Sequence, residues 1–459
     1  MKPLSAGYVR KLIAGSLIQG RDETLIRHAA YRLKQVRHPD TLLFLKGKIV
    51  NWDRLEAFFP LTIVTDKVLR RYEDKKNVTI IKVEDLEEAY WKVINDYRQN
   101  IDIPVIAVTG TAGKTTTKEM IFHILSTNRE IAHSISTNNS RTAHLTNLFS
   151  IGNTTETAVF ETAVGAPGDL TKAAAYLKPT IGIITNIGEH HLNYCKTIEG
   201  YIAAKGELCH ALGPDGKLLI NCDDLYTKRL DLSKFKGKVI TVGIHEPCNY
   251  RASDISFSSQ GMHFTVLRNG KRHQVYVPGL GVHQVYNALF AIAAADAVNM
   301  DFETVKERLK TYEPLNKQLQ VRDGLNDSIL IDDTWSITTT SLEAALKVLN
   351  AVGETKKKIA IIGTITDLGS WGFIIHKHAG KIIADNKVDV LITVGEHASI
   401  MAEYVKRTNP VKEVYSFANQ HGAFKLLNEI VDSHTIILIK GDMYSDAIAK
   451  LALLLRKQT

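Results

Sequence analysis

Residues 105–116 read Val105-Ile106-Ala107-Val108-Thr109-Gly110-Thr111-Ala112-Gly113-Lys114-Thr115-Thr116. An apolar strand is followed by a glycine-containing turn, and a helical pattern begins directly after it. Such a turn directs backbone N–H groups and the start of a helix at phosphate oxygens. Lys114 can hold the β and γ phosphates of a nucleoside triphosphate, and the Thr115 hydroxyl can bind Mg²⁺. The general pattern G-x-x-x-x-G-K-[ST] is incomplete, because Val108 stands where its first glycine would be.

The segments around this loop alternate between strand and helix, which is typical of a parallel sheet flanked by helices. The predicted strands are Val105–Thr109, Ala158–Phe160 and Ile181–Ile184, and the predicted helices are Lys118–Leu125, Ile202–Leu212 and Asn287–Val298. Asn269-Gly270 is a strong hairpin signal, so we expect an antiparallel insert in this region.

Separate apolar patterns occupy the two ends of the chain. The expected elements are strands 41–45 and 61–64 with helix 86–97 before the loop, and strands 329–331, 359–362, 390–394 and 436–439 after it. We therefore predict an α/β protein of three domains. They are a small mixed substrate-recognition domain (1–102), a central ATP-binding domain with the insert (103–313) and a Rossmann-like ligase domain (314–459).

The composition is that of an ordinary globular protein. Lys and Arg total 57 and Asp and Glu total 49, so the 459-residue chain carries a net charge of +8. The basic residues are scattered, which favours a solvated surface and phosphorylated substrates over nucleic acid. The four cysteines form no C-x-x-C pair, and the sequence shows neither a secretory h-region nor a membrane span. We expect a cytoplasmic monomer without nucleic-acid or integral membrane association.

Several polar residues follow predicted strands or lie near the loop in sequence. Glu161 follows a strand and could hold Mg²⁺, although a surface acid is the simpler interpretation. His191 follows another strand and is either a ligand or a loop residue. Lys205 lies on a predicted helix, where a lysine is normally solvated. Asp332-Asp333 could cap a helix or bind a ribose hydroxyl.

Taken together, these motifs resemble the Mur ligase superfamily, most closely its MurF type. The matching stretches are Thr109–Thr116 for T-G-T-x-G-K-T-[ST], Thr185–Leu192 for T-N-I-G-x-A-H-L, Ala204–Glu207 for A-K-G-E, Gly281–Ala288 for G-x-H-N-x-x-N-A, Leu330–Asp333, Gly363 with Asp367–Gly369 and His376, and Lys440-Gly441. The resemblance covers nearly the whole chain and is strongest in the central domain.

The resemblance implies an ATP-dependent ligase that forms an amide bond through an acyl phosphate and releases ADP and phosphate. The implied reaction is the addition of D-alanyl-D-alanine to a muramyl peptide in peptidoglycan biosynthesis, with two Mg²⁺ ions. Its small-molecule substrates would be an acid and an amine. The implied roles are nucleotide binding by Gly110, Thr111, Gly113, Lys114, Thr115 and Thr116, metal binding by Thr115, Glu161 and His191, carbamylation of Lys205 by CO₂ to support the metal, adenine contact by Asn287, and ribose contact by Asp333.

The sequence departs from the family pattern mainly where substrates would be recognised. The altered stretches are Ala30–Lys34 for S-x-D-S-R, Asn138–His144 for N-N-x-I-G-x-P, Lys317-Gln318 for G-R, Trp335–Thr339 for Y-N-A-N-P, and Asp442-Met443 for the end of K-G-S-R. Asn138, Asn139 and Arg141 are candidate substrate residues, since an arginine can bind a carboxylate or a phosphate, although an exposed surface arginine is an equally good interpretation of Arg141. Two alternatives follow: a divergent ligase that joins a different small acid and amine, or a nucleotide-binding protein without turnover.

Overall fold

The computed structural model describes residues 1–46, 51–67, 75–135, 143–258, 260–408, 411 and 413–457. The chain is an α/β protein, as predicted, and it divides into two compact units. Unit 1 comprises 1–107, 128–162 and 171–180, and unit 2 comprises 108–127, 163–170 and 181–459. The three domain boundaries given above stay a prediction. No helix in the described ranges is long and apolar enough to cross a membrane.

The first hundred residues form a mixed sheet with flanking helices. Its elements are β1 (Leu4–Ser5), α1 (Ala6–Leu12), β2 (Ser16–Gln19), β3 (Leu25–Ile26), β4 (His28–Ala30), β5 (Thr41–Phe44), α2 (Trp52–Glu56), β6 (Leu61–Thr65), β7 (Val78–Lys82) and α3 (Leu86–Gln99). The five-stranded sheet has the order β2-β7-β6-β5-β4, and its central strands are parallel. Strands β5 and β6 are buried along their whole length, because helices and loops cover both faces.

Helix α3 is the main packing element of unit 1. Its apolar residues recur at helical spacing, and Asp85 caps its N-terminus through the N–H groups of Glu87 and Glu88. Arg98, near its C-terminus, is 6% exposed and donates to the carbonyl oxygens of Leu177 and Lys178. A buried guanidinium is tolerated here because carbonyl oxygens accept its N–H groups.

The central region contains the phosphate-binding loop predicted from the sequence. Its elements are β8 (Val105–Thr109), α4 (Lys114–Leu125), β9 (Ile131–His133), α5 (His144–Ser150), β10 (Thr157–Glu161), α6 (Asp169–Leu177), β11 (Ile181–Ile184), α7 (Leu192–Cys195), α8 (Ile198–Ala211), β12 (Lys217–Asn221), β13 (Lys238–Gly243), β14 (Tyr250–Phe257), β15 (Gly261–Arg268), β16 (Lys271–Pro278), α9 (Val282–Ala297) and α10 (Phe302–Lys310). The strand order is β16-β15-β14-β13-β12-β11-β8-β10-β9.

The predicted antiparallel insert is formed by β14, β15 and β16. Its hairpin turn is Asn269-Gly270, and both residues have positive φ, as a type I′ turn requires. Helix α9 begins at Val282, five residues before the predicted start, because Gly281 stands at its N-cap with φ +101. The apolar pattern did not reveal this start, because His283 and Gln284 interrupt the apolar residues of the first turn.

The C-terminal region is a doubly wound sheet, as expected. Its elements are β17 (Gln320–Asp323), β18 (Ile329–Asp333), α11 (Thr339–Val352), β19 (Lys357–Gly363), α12 (Gly372–Ala384), β20 (Val390–Val394), α13 (Ser399–Thr408), β21 (Glu413–Phe417), α14 (Gln420–Ile430), β22 (Thr435–Lys440) and α15 (Asp446–Leu454). The order is β17-β18-β22-β19-β20-β21, and only β17 is antiparallel to its neighbour. The carboxyl ends of β18, β22 and β19 therefore meet at one edge, where ligands bind in such folds.

Candidate active site

The loop between β8 and α4 depends on two glycines in conformations that other residues rarely adopt. Gly110 has φ +146, and a Cβ built on it would overlap the Thr185 hydroxyl. Gly113 has φ +79 and is the N-cap of α4, and its Cβ would lie 2.6 Å from Asn287 Oδ1. Both the left-handed backbone and the lack of space select glycine. The backbone turns tightly here and leads directly into a helix.

The segment after β11 braces this loop through a set of hydrogen bonds. Asn186 Oδ1 accepts from Ala112 N (2.9 Å), and its Nδ2 donates to Ala112 O (3.1 Å). Thr185 Oγ1 also donates to Ala112 O (2.6 Å), and Gly188 N donates to Thr111 Oγ1 (2.8 Å). The T-N-I-G motif is therefore a scaffold that holds the loop in shape, a role that its sequence position alone did not reveal.

The first turn of α4 presents the groups that a phosphate would meet. The N-cap Gly113 provides no side chain to satisfy the backbone N–H groups at the helix start, as residues such as serine or aspartate do elsewhere. Such N–H groups and the helix dipole favour an anion. Lys114 Nζ lies over the loop, where it donates to Thr111 O (3.1 Å). Lys114, Thr115 and Thr116 occupy consecutive positions of this turn, although the sequence predicted that the helix begins at Lys118.

Lys205 lies on α8 and is 1% exposed, so it is not the solvated lysine that composition alone would favour. Its Nζ donates to Gly110 O (2.9 Å) and lies 3.3 Å from Thr109 Oγ1. The same nitrogen lies 4.9 Å from the centre of the Tyr201 ring. The lysine therefore contacts the back of the phosphate loop from inside the protein. Its carbamylation stays a prediction.

Two adjacent histidines end the segment that braces the loop. The rings of His190 and His191 lie 3.9 Å apart between centroids, and His191 adopts a left-handed backbone with φ +52. Burial, with the positive charges of Lys205 and Lys114, lowers the pKa of His191 to about 3. Burial likewise lowers the pKa of His190 well below its usual value. Both imidazoles are therefore neutral near neutral pH, the form in which a histidine binds a metal.

The residues fit a divalent ion only in combination with a nucleotide. His191 could provide a nitrogen donor and the Thr115 hydroxyl an oxygen donor, and His190 Nδ1 is buried without a hydrogen-bond partner in the described residues. Those residues contain no group of three or more His, Cys, Asp or Glu side chains arranged to hold a metal. Phosphate oxygens would have to complete the ligand set, which is how Mg²⁺ is usually bound beside a nucleotide.

The remaining predicted residues differ in how far the structure describes them. Glu161 ends β10 in unit 1, is 1% exposed, and its backbone N–H donates to Ser134 Oγ (2.9 Å). Its role as a metal ligand stays a prediction. Asn138, Asn139 and Arg141 lie outside the described residues, so their substrate role is likewise untested.

Asn287 is buried behind the loop and is engaged by protein side chains. Its Oδ1 accepts from Thr117 Oγ1 (3.2 Å), and its Nδ2 donates to Gln284 Oε1 (3.3 Å). Together with its position against Gly113, these contacts fix α9 against the start of α4. The adenine contact implied by the resemblance stays a prediction, and the structure adds a role in shaping the loop.

Gln318 connects the phosphate loop to the C-terminal sheet. Its Oε1 accepts from Thr116 Oγ1 (2.9 Å), although 202 residues separate the two in sequence. The next residue, Leu319, donates its N–H to Asp333 Oδ1 (3.3 Å). Asp333 is 7% exposed and forms an ion pair with the buried Lys440. Burial raises the pKa of Asp333, and the Lys440 ammonium opposes that rise.

The family model "Mur ligase middle domain" matches residues 108–295, which contain the loop, both histidines, Lys205 and Asn287. This central region of the chain is a Mur ligase middle domain. The UDP-N-acetylmuramoyl-tripeptide–D-alanyl-D-alanine ligase of Bacillus subtilis is 27% identical over 366 residues, which are 80% of this chain and 79% of that protein. The enzyme of the same name from Rickettsia prowazekii is 25% identical over 90% of this chain and 91% of its own length.

Solved structures of Mur ligases share the fold of this chain. MurF from Acinetobacter baumannii superposes with a TM-score of 0.85 at 22% identity and covers 99% of both chains. MurF from Thermotoga maritima, solved in complex with ADP, gives a TM-score of 0.75 at 17% identity and covers 93% of this chain and 96% of its own. A pseudomurein peptide ligase type C from Methanothermus fervidus gives a TM-score of 0.67 at 20% identity, with 90% of each chain covered.

Three residues received no contact partner from the sequence, because their contacts arise only in three dimensions. His190, Gln318 and Lys440 belong to this group. Lys440 was part of a motif without an assigned role, and its pairing with Asp333 joins β22 to β18. Nothing in the local pattern of Gln318 indicates its contact with Thr116.

Proposed function

We propose that this protein is an ATP-dependent ligase that joins D-alanyl-D-alanine to a UDP-linked muramyl tripeptide in the synthesis of cell-wall precursors. The observation that carries the proposal is the convergence of Lys114, Lys205 and His191 around one phosphate loop whose shape is fixed by Gly110 and Gly113. A phosphate loop alone predicts nucleotide binding. The buried lysine and the neutral histidine beside it are what this family's ligase activity would require.

The chemistry follows from the weak reactivity of a carboxylate. One carboxylate oxygen of the acid would attack the γ-phosphorus of ATP, and ADP would leave with the bridging oxygen. The amine nitrogen would then attack the acyl carbon, the C–O bond to phosphate would break, and an N–H proton would pass to the released phosphate. Lys114 and the N–H groups of α4 would bind the transferring phosphoryl group in fixed positions, which is the main protein contribution to such a step.

As the resemblance implies, a first metal ion would be held by Thr115 and Glu161, and His191 would help to hold a second. When bound, Mg²⁺ supplies charge neutralisation of the phosphates. Lys205 contacts Gly110 O and so holds the loop from behind in the described state. Its conversion to a carbamate would replace a cation by an anion beside the metal region.

The proposal is tested by incubating the protein with ATP, Mg²⁺, the UDP-linked tripeptide and D-alanyl-D-alanine. ADP release and the mass of the amide product are measured, with Lys114→Ala as the inactive control. We expect product formation that requires all three substrates. If this pair gives none, ADP release with other acid and amine pairs tests the divergent ligase. Positional isotope exchange in ATP with each acid then separates a ligase from a protein that only binds nucleotide.

A further inference from the structure

In the stretch that matches T-N-I-G-x-A-H-L, His190 occupies the position where the family pattern has alanine. Alanine has no side-chain donor or acceptor, so His190 adds a nitrogen heterocycle to the segment that braces the phosphate loop. Its ring packs against His191 with centroids 3.9 Å apart and an interplanar angle of 61°. Two imidazoles are thus present where the family pattern provides one.

The Nδ1 atom of His190 is buried and has no hydrogen-bond partner among the described residues. A buried polar atom without a partner is unfavourable, and native proteins usually satisfy it with protein, water or a ligand. The ammonium groups of Lys114 and Lys205 act electrostatically on this imidazole and could donate to an unprotonated Nδ1, but neither forms a hydrogen bond with it. The atom therefore points to a ligand that the folded chain does not itself supply.

We propose that His190 is a second imidazole ligand, beside His191, for the divalent ion that accompanies the nucleotide. Mg²⁺ prefers an all-oxygen shell, whereas Mn²⁺ accepts an imidazole nitrogen more readily than Mg²⁺ does, and Co²⁺ and the later divalent metals bind it more strongly still. A site with two imidazoles should therefore select Mn²⁺ or Co²⁺ over Mg²⁺ more strongly than a site with one. This inference rests on the nucleotide-binding part of the proposed function and is independent of the acid and amine.

Binding of the metal should depend on the nucleotide. The described residues offer no complete protein ligand set, and two lysine ammonium groups oppose the binding of a cation without a nucleotide. The phosphates of ADP or ATP would offset those charges and add oxygen ligands. The metal and the nucleotide should thus bind together rather than one after the other.

The test is pulsed electron paramagnetic resonance of Mn²⁺ bound to the full chain with ADP, which counts directly coordinated ¹⁴N atoms. We expect two imidazole nitrogens in the wild type and one in His190→Ala. We also expect Mn²⁺ affinity in the presence of ADP to fall at least about tenfold in the variant, since even the outer partners of metal ligands are commonly worth that much. The matched control is His210→Ala, because His210 is exposed at the end of α8.

One nitrogen in the wild type, or an unchanged count in His190→Ala, would overturn the inference. His190→Ala introduces the residue of the family pattern, so the variant should fold, and an unchanged melting temperature checks this. His190→Asn is the second variant, because it keeps a polar group but removes the imidazole, and it should also show one nitrogen. The spectra need no turnover, so they remain decisive even if no acid and amine pair is ligated, which would contradict the proposed function alone.

Discussion

Gln318→Met tests whether the phosphate loop is held by the C-terminal sheet. Methionine has nearly the length of glutamine, but its thioether sulfur is only a weak acceptor and would replace the oxygen that accepts from Thr116 Oγ1 at 2.9 Å. Leu319 N and Asp333 Oδ1 would keep their contact, so the variant removes one connection and leaves the segment in place. The flanking Lys317 and Leu319 have φ +60 and +52, values that non-glycine residues rarely adopt. The segment therefore has few accessible conformations.

The expected effect is modest. A hydrogen bond of this kind contributes about 0.5–1.5 kcal/mol, which corresponds to about a 2- to 12-fold change in an equilibrium or rate constant. Thr116 is 7% exposed, so its hydroxyl would lose its partner in a largely dry environment. It can donate instead to a backbone carbonyl oxygen three or four residues earlier in the chain, as threonine often does. We therefore expect an effect near the middle of that range, of about fivefold.

The assay is the kinetics of ATP-dependent ligation at saturating acid and amine, together with nucleotide titration. Because the loop itself stays intact, kcat should fall about fivefold while the Kd for ATP changes less than about twofold. Gln320→Met is the matched control, since Gln320 contacts Asn316 and Arg322 in the same segment. A Thr116→Val, Gln318→Met double variant should be no slower than the slower single variant. Fully additive losses would refute the coupling.

Three further outcomes follow from the structure. Lys205→Ala should abolish turnover, and added bicarbonate should not restore it, whereas full activity would remove the carbamate hypothesis. Gly113→Ala should weaken binding of a fluorescent ATP analogue at least tenfold. An alanine in this left-handed conformation costs about 1–2 kcal/mol, and its Cβ would lie 2.6 Å from Asn287 Oδ1. The control is Gly213→Ala, which should bind the analogue as the wild type does, because a Cβ at Gly213 has open space. Burial would raise the pKa of Asp223, but hydrogen bonds from backbone N–H groups and a tyrosine lower it overall. This carboxylate therefore stabilises the fold above pH ~4, and the stabilisation is lost as the pH falls through the lowered pKa. Urea unfolding of Asp223→Asn should accordingly show a destabilisation at pH 7 that becomes smaller at pH 3.

The fold was predictable where buried apolar runs define strands. Strands β8, β11 and β20 begin and end at the predicted residues, because strands buried on both faces read as continuous apolar segments. Strand β2 was missed because its residues Ser16–Gln19 are mostly exposed and show no pattern. Helix α4 begins at Lys114, four residues before the prediction, since its first turn is a row of polar residues selected for phosphate and not for packing.

The candidate site was predictable only as far as local motifs extend. The phosphate loop was read directly from its glycines, lysine and threonines. Lys205 could not be recognised from its own position, because only the folded chain shows that it is buried under Gly110. The partnership of Thr116 and Gln318 spans 202 residues and leaves no sequence signal. Such contacts depend on tertiary packing, which periodicity does not describe.

The departures from the family pattern in the C-terminal region are connected to one another in space. Met443 N donates to Trp335 O (3.2 Å), so the altered stretches 335–339 and 442–443 meet at the carboxyl edge of the sheet. Asp442 in turn accepts from Thr366 Oγ1 (3.3 Å), which lies in the loop after β19. By contrast, the segment that braces the phosphate loop is held by Asn186 and Thr185. Because the altered residues contact each other and the loop has its own scaffold, substrate recognition can change as a unit while the nucleotide site keeps its shape.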